Sequence, residues 1–354
     1  MTERTENTRV GDQAHNSDAE PLLSILSLTY NQARYIRQAI DSFLAQQTNF
    51  KVEILIHDDA STDGTADIIR EYQRQYPGLI RPILREENRY RKDKGFGGIF
   101  KALNDSARGK YVAFCEGDDY WIDPHKLQKQ VDYLEDNPDY GMVHTDNMCL
   151  EESTGKLFPS HKALYCPHPP SGEVFYKLIK MDFITTLTVV CRREILARAL
   201  VSMFKWLDQE YHRDFSTWLE ISRLSKVQYL QDVTAVYRAN AGSVSRQQND
   251  RRHASFLRQG LEIILAFAGH YKLDPAKRQE CIDRYFNYHM ATALIHKDVF
   301  GDFRAEVQSY QPRGLKKKIM RFLYLRGINV KPVELVYRPV IDRLRRLKKA
   351  VPPR

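Results

Sequence analysis

The sequence lacks the features that mark membrane-spanning, secreted and zinc-binding proteins. No window of its 354 residues approaches the roughly 20 apolar residues that a membrane-spanning helix needs. The first twenty residues are polar and of mixed charge, without the apolar centre of a secretory signal. The five cysteines are scattered, without the paired spacing of a zinc site. These absences predict a protein of the reducing cytoplasm, with a disordered tail over residues 1–20.

The basic charge of the chain is concentrated at its end. The sequence has 54 Lys and Arg residues against 45 Asp and Glu residues, a net charge of +9. Residues 313–354 contain 14 of the basic residues and 2 of the acidic ones, which leaves 40 basic and 43 acidic residues before them. The body of the protein is therefore close to neutral.

Three carboxylates follow one short apolar segment. Residues 111–115 have the pattern of a buried strand, and Glu116, Asp118 and Asp119 come directly after it. Carboxylates this close repel one another unless solvent or a cation screens them. At the carboxyl end of a buried strand, a hard divalent cation that holds a phosphate is the natural partner. A second apolar segment, residues 52–57, also ends in an acidic turn, so we predict one nucleotide–metal site at the edge of a sheet.

The apolar positions of the first half of the chain alternate between strand and helix patterns. Strands are predicted over residues 22–28, 52–57, 80–84, 111–115 and 141–145, and helices over 35–44, 65–75 and 126–135. This alternation predicts a parallel sheet with right-handed crossover connections.

The second half is less regular. Residues 150–172 are predicted to be irregular, and residues 252–297 to be wholly helical. Between them we predict helices over 173–180 and 215–224 and from residue 193, and strands over 187–191, 227–230 and 233–237.

Four motifs, in the same order along the chain, resemble those of the family 2 glycosyltransferases. They are residues 24–31, residues 58–65, residues 109–130 with the three carboxylates inside them, and residues 237–243. The resemblance covers residues 22–246. It implies the GT-A fold, an α/β, Rossmann-like domain with a mostly parallel central sheet flanked by helices, here followed by a helical C-terminal extension.

The resemblance also divides the chain. It implies a catalytic domain over residues 21–248. The helical spacing and the charge of the residues that follow predict a helical extension over 249–312 and a basic amphipathic tail over 313–354. The tail is open to three interpretations. It can lie on an anionic membrane, dock on the body of the protein with a solvated basic face, or bind nucleic acid. The third is the weakest, because no base-reading motif accompanies the charge, and we expect no nucleic-acid partner.

The resemblance places a nucleotide at the first two strand ends. Thr29, Tyr30 and Asn31 are expected to bind the nucleotide, with the Tyr30 ring stacked on a pyrimidine. Asp59 would accept a hydrogen bond from a uracil imide N–H, which favours uridine or thymidine over cytidine.

Two further acidic residues lie in the turn after the second of these strands, and they are interpreted differently. Asp63 is interpreted as a turn and helix-cap residue. The role of Asp58 stays open between the turn and the nucleotide.

The acidic run supplies the expected diphosphate and cation contacts. Glu116 stands where the family often has the first Asp of a D-x-D motif. Asp118 and Asp119 are the candidates for the metal and ribose contacts, and either can be the direct ligand of Mn²⁺ or Mg²⁺. Arg238 is expected to pair with the diphosphate.

Asp214 lies where the family places its catalytic base, and the pattern also puts it at a helix start. Asp208 and Glu210 are competing candidates for the base. One position departs from the family, because Asn240 stands where relatives often have a histidine that can bind the metal.

The implied activity is inverting transfer of a sugar from a nucleotide diphosphate, expected to be UDP, to a hydroxyl of a glycan or lipid-linked acceptor. Surface polysaccharide synthesis in the cytoplasm, or at the inner face of the cell membrane, is the expected setting. One alternative is a nucleotidyltransferase, against which the glycine-free residues 28–32 count. The other is an inactive scaffold that binds a membrane or polyanion through the basic tail.

Overall fold

The computed structural model describes residues 7–15, 20–93, 97–160, 162, 166–211, 213–239 and 250–328. The chain forms two compact units, Met1–Asn240 and Ala241–Arg354. Asn240 and residues 329–354 of the predicted tail lie outside the described residues.

The first unit is built on a sheet of nine strands. The strands of this unit are β1 (Thr8–Arg9), β2 (Leu23–Thr29), β3 (Gln47–Thr48), β4 (Val52–Asp58), β5 (Ile80–Leu84), β6 (Tyr111–Phe114), β7 (Tyr120–Trp121), β8 (Tyr140–Glu151), β9 (Lys156–Pro159), β10 (Val190–Arg192) and β11 (Lys226–Ala239). The large sheet has the order β5-β4-β2-β6-β10-β8-β11-β7, with β9 paired to β8, while β1 and β3 form a separate pair.

The parallel part of this sheet carries the two acidic turns. Strands β5, β4, β2 and β6 run parallel, and Thr29 at the end of β2 lies in register with Asp58 at the end of β4. Strands β4, β2 and β6 are mostly apolar and are buried because helices cover them. Strand β10 is antiparallel to both of its neighbours, and parallel pairing returns between β8 and β11. The predicted α/β class is therefore confirmed, with antiparallel pairings in its second half.

The helices of the first unit pack on its parallel part and on the part with antiparallel pairings. They are α1 (Ile36–Leu44), α2 (Thr65–Gln75), α3 (Arg89–Asp93), α4 (Gly97–Ser106), α5 (Lys126–Asp136), α6 (Phe175–Lys180), α7 (Arg193–Trp206) and α8 (Asp214–Leu224). The buried rings of Phe43 in α1 and Trp121 in β7 lie 4.9 Å apart and join the first helix to the edge strand.

Three expectations about local structure need correction. Residues 150–172 are not wholly irregular, because β9 pairs antiparallel with β8. The two strands predicted over 227–230 and 233–237 are one strand, β11, whose irregularities are absorbed as register shifts. Residues 7–15 are ordered rather than part of a disordered tail, since Val10 is buried and its N–H donates to the Gln46 carbonyl.

The second unit is helical in its described residues. It contains α9 (Asp250–His270), α10 (Pro275–Ile295), α11 (Lys297–Phe300), α12 (Arg304–Ser309) and α13 (Leu315–Leu325). The helical region expected over 252–297 is divided into α9 and α10 near Lys272, whose φ is 48°. Asp274 then caps α10 by accepting a hydrogen bond from the Lys277 N–H. None of the described helices is long and apolar enough to cross a bilayer.

Candidate active site

The acidic run after β6 is held against the end of β2 by a glycine. The Gly117 N–H donates to the Leu28 carbonyl at 2.8 Å. A Cβ at Gly117 would lie 2.6 Å from Gln32 Oε1 and 2.9 Å from the Thr29 Cβ, so no larger residue fits without moving the turn. Gln32 Oε1 and Thr29 Oγ1 are buried without a hydrogen-bond partner in the described part of the chain. This edge therefore retains unsatisfied hydrogen-bonding capacity.

The carboxylates of the acidic run are fully or partly buried and repel one another. Burial and the charge of Asp118 raise the pKa of Glu116 to about 8, and the charge of Asp214 adds to the effect. Asp119 is only 2% exposed, and burial with the charges of Asp118 and Glu116 raises its pKa well above the ordinary value. Ionisation of all of these carboxylates is therefore unfavourable without a cation, as expected of a cation-binding site.

Arg238, near the end of β11, fastens this run to two other elements. Its backbone N–H donates to Asp119 Oδ1 at 2.7 Å, and its Nε donates to the Asp118 carbonyl at 2.8 Å. Its two Nη atoms donate to Glu152 Oε1 and to Gln38 Oε1, each at 2.5 Å. The guanidinium is thus engaged within the protein, which favours a role in holding the acidic run over the expected contact to a diphosphate.

The guanidinium of Arg238 is also enclosed by two rings. It lies 4.8 Å from the centroid of Tyr35 and 5.4 Å from that of Tyr120. The Tyr35 hydroxyl donates to Glu152, so the same acidic partner joins the ring and the arginine. Such stacking suits the planar guanidinium and would suit a lysine less well.

Asp59 is buried at the carboxyl end of the parallel strands and faces the start of α3. Its Oδ1 accepts the Arg89 N–H at 2.7 Å, and its Oδ2 accepts the Tyr90 N–H at 3.0 Å. The Asn88 side chain donates to the Asp59 carbonyl at 3.1 Å. Each carboxylate oxygen has a second lone pair, so these bonds leave acceptor capacity for a ligand.

The turn after β2 interlocks with the turn after β4. The Asn31 N–H donates to Ser61 Oγ at 2.8 Å, and Asn31 Oδ1 accepts the Thr62 N–H at 2.8 Å. Asp58 accepts from the N–H and hydroxyl of Ser61, which assigns it to the turn. Tyr30 is 39% exposed, so its ring is available at the surface of this edge.

Asp63 has the turn role expected for it. Its Oδ2 accepts the Ala33 N–H at 3.0 Å, and its Oδ1 accepts the Thr65 N–H at 3.1 Å, at the start of α2. The side chain therefore ties the first turn to the helix that follows the second. These bonds hold the pKa of Asp63 below its ordinary value, although burial opposes them.

Asp214 is brought to the acidic run by a segment about 100 residues later. The Thr186 hydroxyl donates to its Oδ2 at 3.1 Å, and the Phe215 N–H donates to its Oδ1 at 2.8 Å. Thr186 and Glu116 line the same small cavity. The competing candidates Asp208 and Glu210 are exposed.

One acidic neighbour of Asp214 has no signal in the sequence motifs. Burial raises the pKa of Asp182, and the charge of Asp214 adds to this while Lys162 opposes it. The Lys162 ammonium donates to Asp182 Oδ2 at 2.8 Å. This pair comes from the segment between β9 and β10, with one residue before α6 and one after it, where no sequence motif points to a partner.

The acidic edge has the donor chemistry of a divalent-cation site without a complete ligand set. Carboxylate oxygens are the ligands that Mg²⁺ and Mn²⁺ prefer. Among the described residues, no group of three or more His, Cys, Asp or Glu side chains is arranged to hold a metal ion. The residues therefore fit a cation that takes its remaining ligands from phosphate and water.

Comparison with known proteins decides the family. Residues 24–199 match the model of glycosyl transferase family 2. The Escherichia coli UDP-Glc:alpha-D-GlcNAc-diphosphoundecaprenol beta-1,3-glucosyltransferase WfaP is 30% identical over 231 residues, which are 63% of this chain and 80% of WfaP. The chain belongs to glycosyl transferase family 2.

Other relatives of this family 2 glycosyltransferase are less informative about activity. An uncharacterised protein of Mycobacterium tuberculosis is 55% identical over 224 residues, or 63% of this chain. The chain spans 60% of that relative's length. The crystal structure of Staphylococcus aureus TarS residues 1–349 in complex with UDP-GlcNAc superposes with a TM-score of 0.56 at 16% identity, covering 90% of this chain and 91% of TarS. The likeness to TarS confirms the GT-A fold.

The match to the family 2 model contains only part of the candidate site. It includes the acidic run and both turns, but it ends at residue 199. Asp214 and Arg238 come from the segment beyond it, which the fold returns to the acidic edge through α8 and β11.

Proposed function

We propose that this family 2 glycosyltransferase moves a sugar from a nucleotide diphosphate, most simply a UDP-sugar, to a hydroxyl acceptor with inversion at the sugar. The observation that carries the proposal is the convergence of Asp214 on the acidic edge, because it joins a candidate base to a candidate diphosphate site. The family is shared with WfaP, whose name gives a UDP-glucose donor and a lipid-linked glycan acceptor. A relative in Bacillus subtilis, TuaG, is named as a putative teichuronic acid biosynthesis glycosyltransferase. Both support a glycan or lipid-linked acceptor in surface polysaccharide synthesis.

The nucleotide would lie along the turns after β2 and β4. Tyr30 offers an exposed ring for stacking, and Asp59 offers the remaining lone pairs of a carboxylate to an imide N–H. Asn31 and Thr29 fix this edge, because Asn31 bonds directly to the second turn and the Thr29 carbonyl accepts the Asp59 N–H at 3.0 Å. A uracil or thymine presents the N–H that this arrangement accepts, whereas cytosine lacks it.

The diphosphate would lie over the acidic run. Asp118 and Asp119 are the proposed ligands of a divalent cation, Mn²⁺ or Mg²⁺, with the carboxyl of Glu116 beside them. When bound, the cation would neutralise charge on the departing diphosphate. Arg238 would keep the carboxylates in place through its bonds to both ligand residues.

Asp214 would take the proton from the acceptor hydroxyl as that oxygen bonds to the anomeric carbon. Its Oδ2 is oriented by the Thr186 hydroxyl and its Oδ1 by the Phe215 N–H, so the carboxylate has a fixed direction. A base must come within about 3 Å of the proton that it removes. The neighbouring Asp182–Lys162 pair would border the acceptor.

Thermal stabilisation by nucleotides tests this proposal. Purified protein is melted with UDP, GDP, dTDP or CMP, each with Mn²⁺ or with EDTA. A ligand that binds only the folded state stabilises it by about 2.7 kcal/mol at 100 times its Kd. We expect a Mn²⁺-dependent rise in melting temperature with UDP or dTDP, and its loss in Asp118→Asn.

The matched control is Asp105→Asn, the same change at an exposed residue of α4 that pairs with Lys101. It should keep the full nucleotide response. If no nucleotide stabilises the wild-type protein, the scaffold interpretation replaces the transferase. If CMP stabilises it as well as UDP does, the role of Asp59 is wrong.

A further inference from the structure

Helix α13 has one face fastened to the second unit. Tyr324 is fully buried, and its hydroxyl donates to the Gly301 carbonyl at 3.0 Å. The Arg321 side chain donates to the Val307 carbonyl at 2.9 Å. Lys317 lies on the same side and donates to another side chain of the unit. These contacts fix the rotation of the helix and therefore determine which side chains face outward.

The opposite face of α13 is apolar and exposed. Leu315, Ile319 and Phe322 follow one another at intervals of four and three residues, so they form one stripe along the helix. Their exposed fractions are 74%, 49% and 54%. Ile328, just beyond the helix, is also exposed. Three large apolar side chains on one exposed stripe mark an interaction surface.

Positive charge borders this stripe. Lys316 and Lys318 are exposed on its two sides, and the Arg326 guanidinium lies 5.5 Å from the centroid of the Phe322 ring. Residues 313–328 contain six Lys and Arg residues and no Asp or Glu. The stripe and the positive charge beside it therefore suit a partner that has an anionic surface and an apolar interior.

We propose that the outward stripe of α13 binds the surface of an anionic phospholipid membrane. Leu315, Ile319 and Phe322 would enter the boundary between headgroups and acyl chains, and the lysines beside them would lie at the headgroup phosphates. A phosphate-bearing polymer such as RNA would use the charge but leave the apolar stripe in water. The surface belongs to the second unit, so membrane binding does not depend on the transfer reaction.

Sedimentation of the full-length protein with lipid vesicles tests this inference. The vesicles are phosphatidylcholine alone, or phosphatidylcholine with a quarter phosphatidylglycerol. We expect binding to the anionic vesicles that weakens in high salt. Each Lys or Arg near such a surface contributes about fivefold in affinity at low salt, so Lys316→Gln with Lys318→Gln should weaken binding by roughly tenfold or more.

The apolar arm uses Ile319→Ser with Phe322→Ser. These exposed positions can change without loss of core packing, so the melting temperature should stay constant while vesicle binding falls at least about tenfold. The matched control is Leu157→Ser, at a residue of the first unit that is 53% exposed, and it should bind as the wild type does. A Phe322→Trp variant should gain a blue-shifted fluorescence with anionic vesicles that the wild type lacks.

Several results would overturn the proposal. One is a wild-type protein that ignores the vesicles, or that binds neutral and anionic vesicles equally. Another is full binding by the Ile319→Ser, Phe322→Ser variant, which would assign the membrane contact to residues 329–354. Equal retention of that variant and the wild type on heparin, with no vesicle binding by either, would assign the charge to a polyanion.

Discussion

Two sets of carboxylates lie at opposite edges of the same sheet, and their surroundings shift the pKa in opposite directions. Glu53, near the amino end of β4, is 1% exposed and accepts hydrogen bonds from Ser24, Arg81 and Arg108 at 2.6–2.9 Å. Burial alone would raise its pKa, but these bonds outweigh burial and lower it. At the carboxyl edge, burial and mutual repulsion raise the pKa of Glu116 and Asp119.

This difference distinguishes a carboxylate that stabilises the fold, Glu53, from the carboxylates of the candidate site, Glu116 and Asp119. The partners of Glu53 satisfy its charge inside the protein, so that its removal would leave donors unpaired. The carboxylates after β6 are held by Arg238, whose backbone N–H donates to Asp119 and whose Nε donates to the Asp118 carbonyl. Carboxyls whose pKa is raised by burial and by one another are candidates for a functional site.

The largest expected effect is on the rate of sugar transfer and comes from substitution of Asp214, the proposed base. Asp214→Asn keeps the shape of the side chain and its place at the start of α8, but it removes the proton acceptor. We expect the rate of sugar transfer to fall about 10²- to 10⁴-fold, with little change in melting temperature. The rate is measured with the donor that the nucleotide screen selects. Retention of more than a tenth of the wild-type rate would assign the base elsewhere.

Substitution of Glu53 should instead lower the stability of the fold. Glu53→Ala leaves buried donors without an acceptor, and we expect it to lower the free energy of unfolding by about 3 kcal/mol. The estimate is at the low end because Arg81 and Arg108 are 39% and 46% exposed and can turn to water. Urea unfolding measures it.

The control for that comparison is Glu135→Gln, which breaks an exposed pair with Lys110. It should cost less than about 1 kcal/mol. Both variants should still respond to the selected nucleotide once folded. If folded Glu53→Ala lost nucleotide binding, Glu53 would also serve the nucleotide site, and the distinction between the two sets of carboxylates would be wrong.

A smaller effect is expected from the residue that holds the acidic run. Arg238→Lys keeps the charge but cannot reach Asp118, Glu152 and Gln38 at once. We expect a loss of about 1–2 kcal/mol in unfolding free energy and weaker nucleotide stabilisation. The two melts, with and without nucleotide, measure both. If Arg238 bound the diphosphate directly and did nothing else, the nucleotide response would fall with stability unchanged.

The last prediction concerns the pH dependence of stability. The pKa of Glu116 is about 8 when folded, against an ordinary value of 4.5 when unfolded. Between these values the folded chain holds an extra proton, so its stability falls as the pH rises from about 4.5 to about 8. Glu116→Gln lacks this titration, so its stability relative to the wild type should increase across that interval in EDTA. A constant difference between the two proteins would contradict the raised pKa.

Local patterns in the sequence predicted the elements of the parallel half with small errors. The ranges 65–75 and 80–84 agree with α2 and β5, because their apolar residues follow a single period and clear turn residues end them. The same patterns failed for β11, where the polar residues Gln231 and Asp232 look like a break. The strand continues through them because its register with β8 shifts there.

Sequence motifs locate candidate site residues that lie close together in the chain, but not the residues that contact them from elsewhere. The acidic run and the two turns are continuous motifs. Asp182, Lys162 and Glu152 are not in motifs, and they acquire their neighbours only through contacts that cross the fold. The individual roles of the motif residues in binding nucleotide, metal and acceptor remain predictions, which the experiments above test.

The sequence by itself determined the strand–helix alternation, the acidic ends of two strands, the family and the basic composition of the tail, because each is a local pattern of residue types. Tertiary structure decided which of those charges are satisfied. Glu53 lies in one strand of the sheet and Glu116 directly after another, and only packing gives the first two arginines and brings Asp214 to the second. Tertiary structure also decided which face of α13 is buried, since contacts from Tyr324 and Arg321 fix its rotation and leave the apolar stripe exposed.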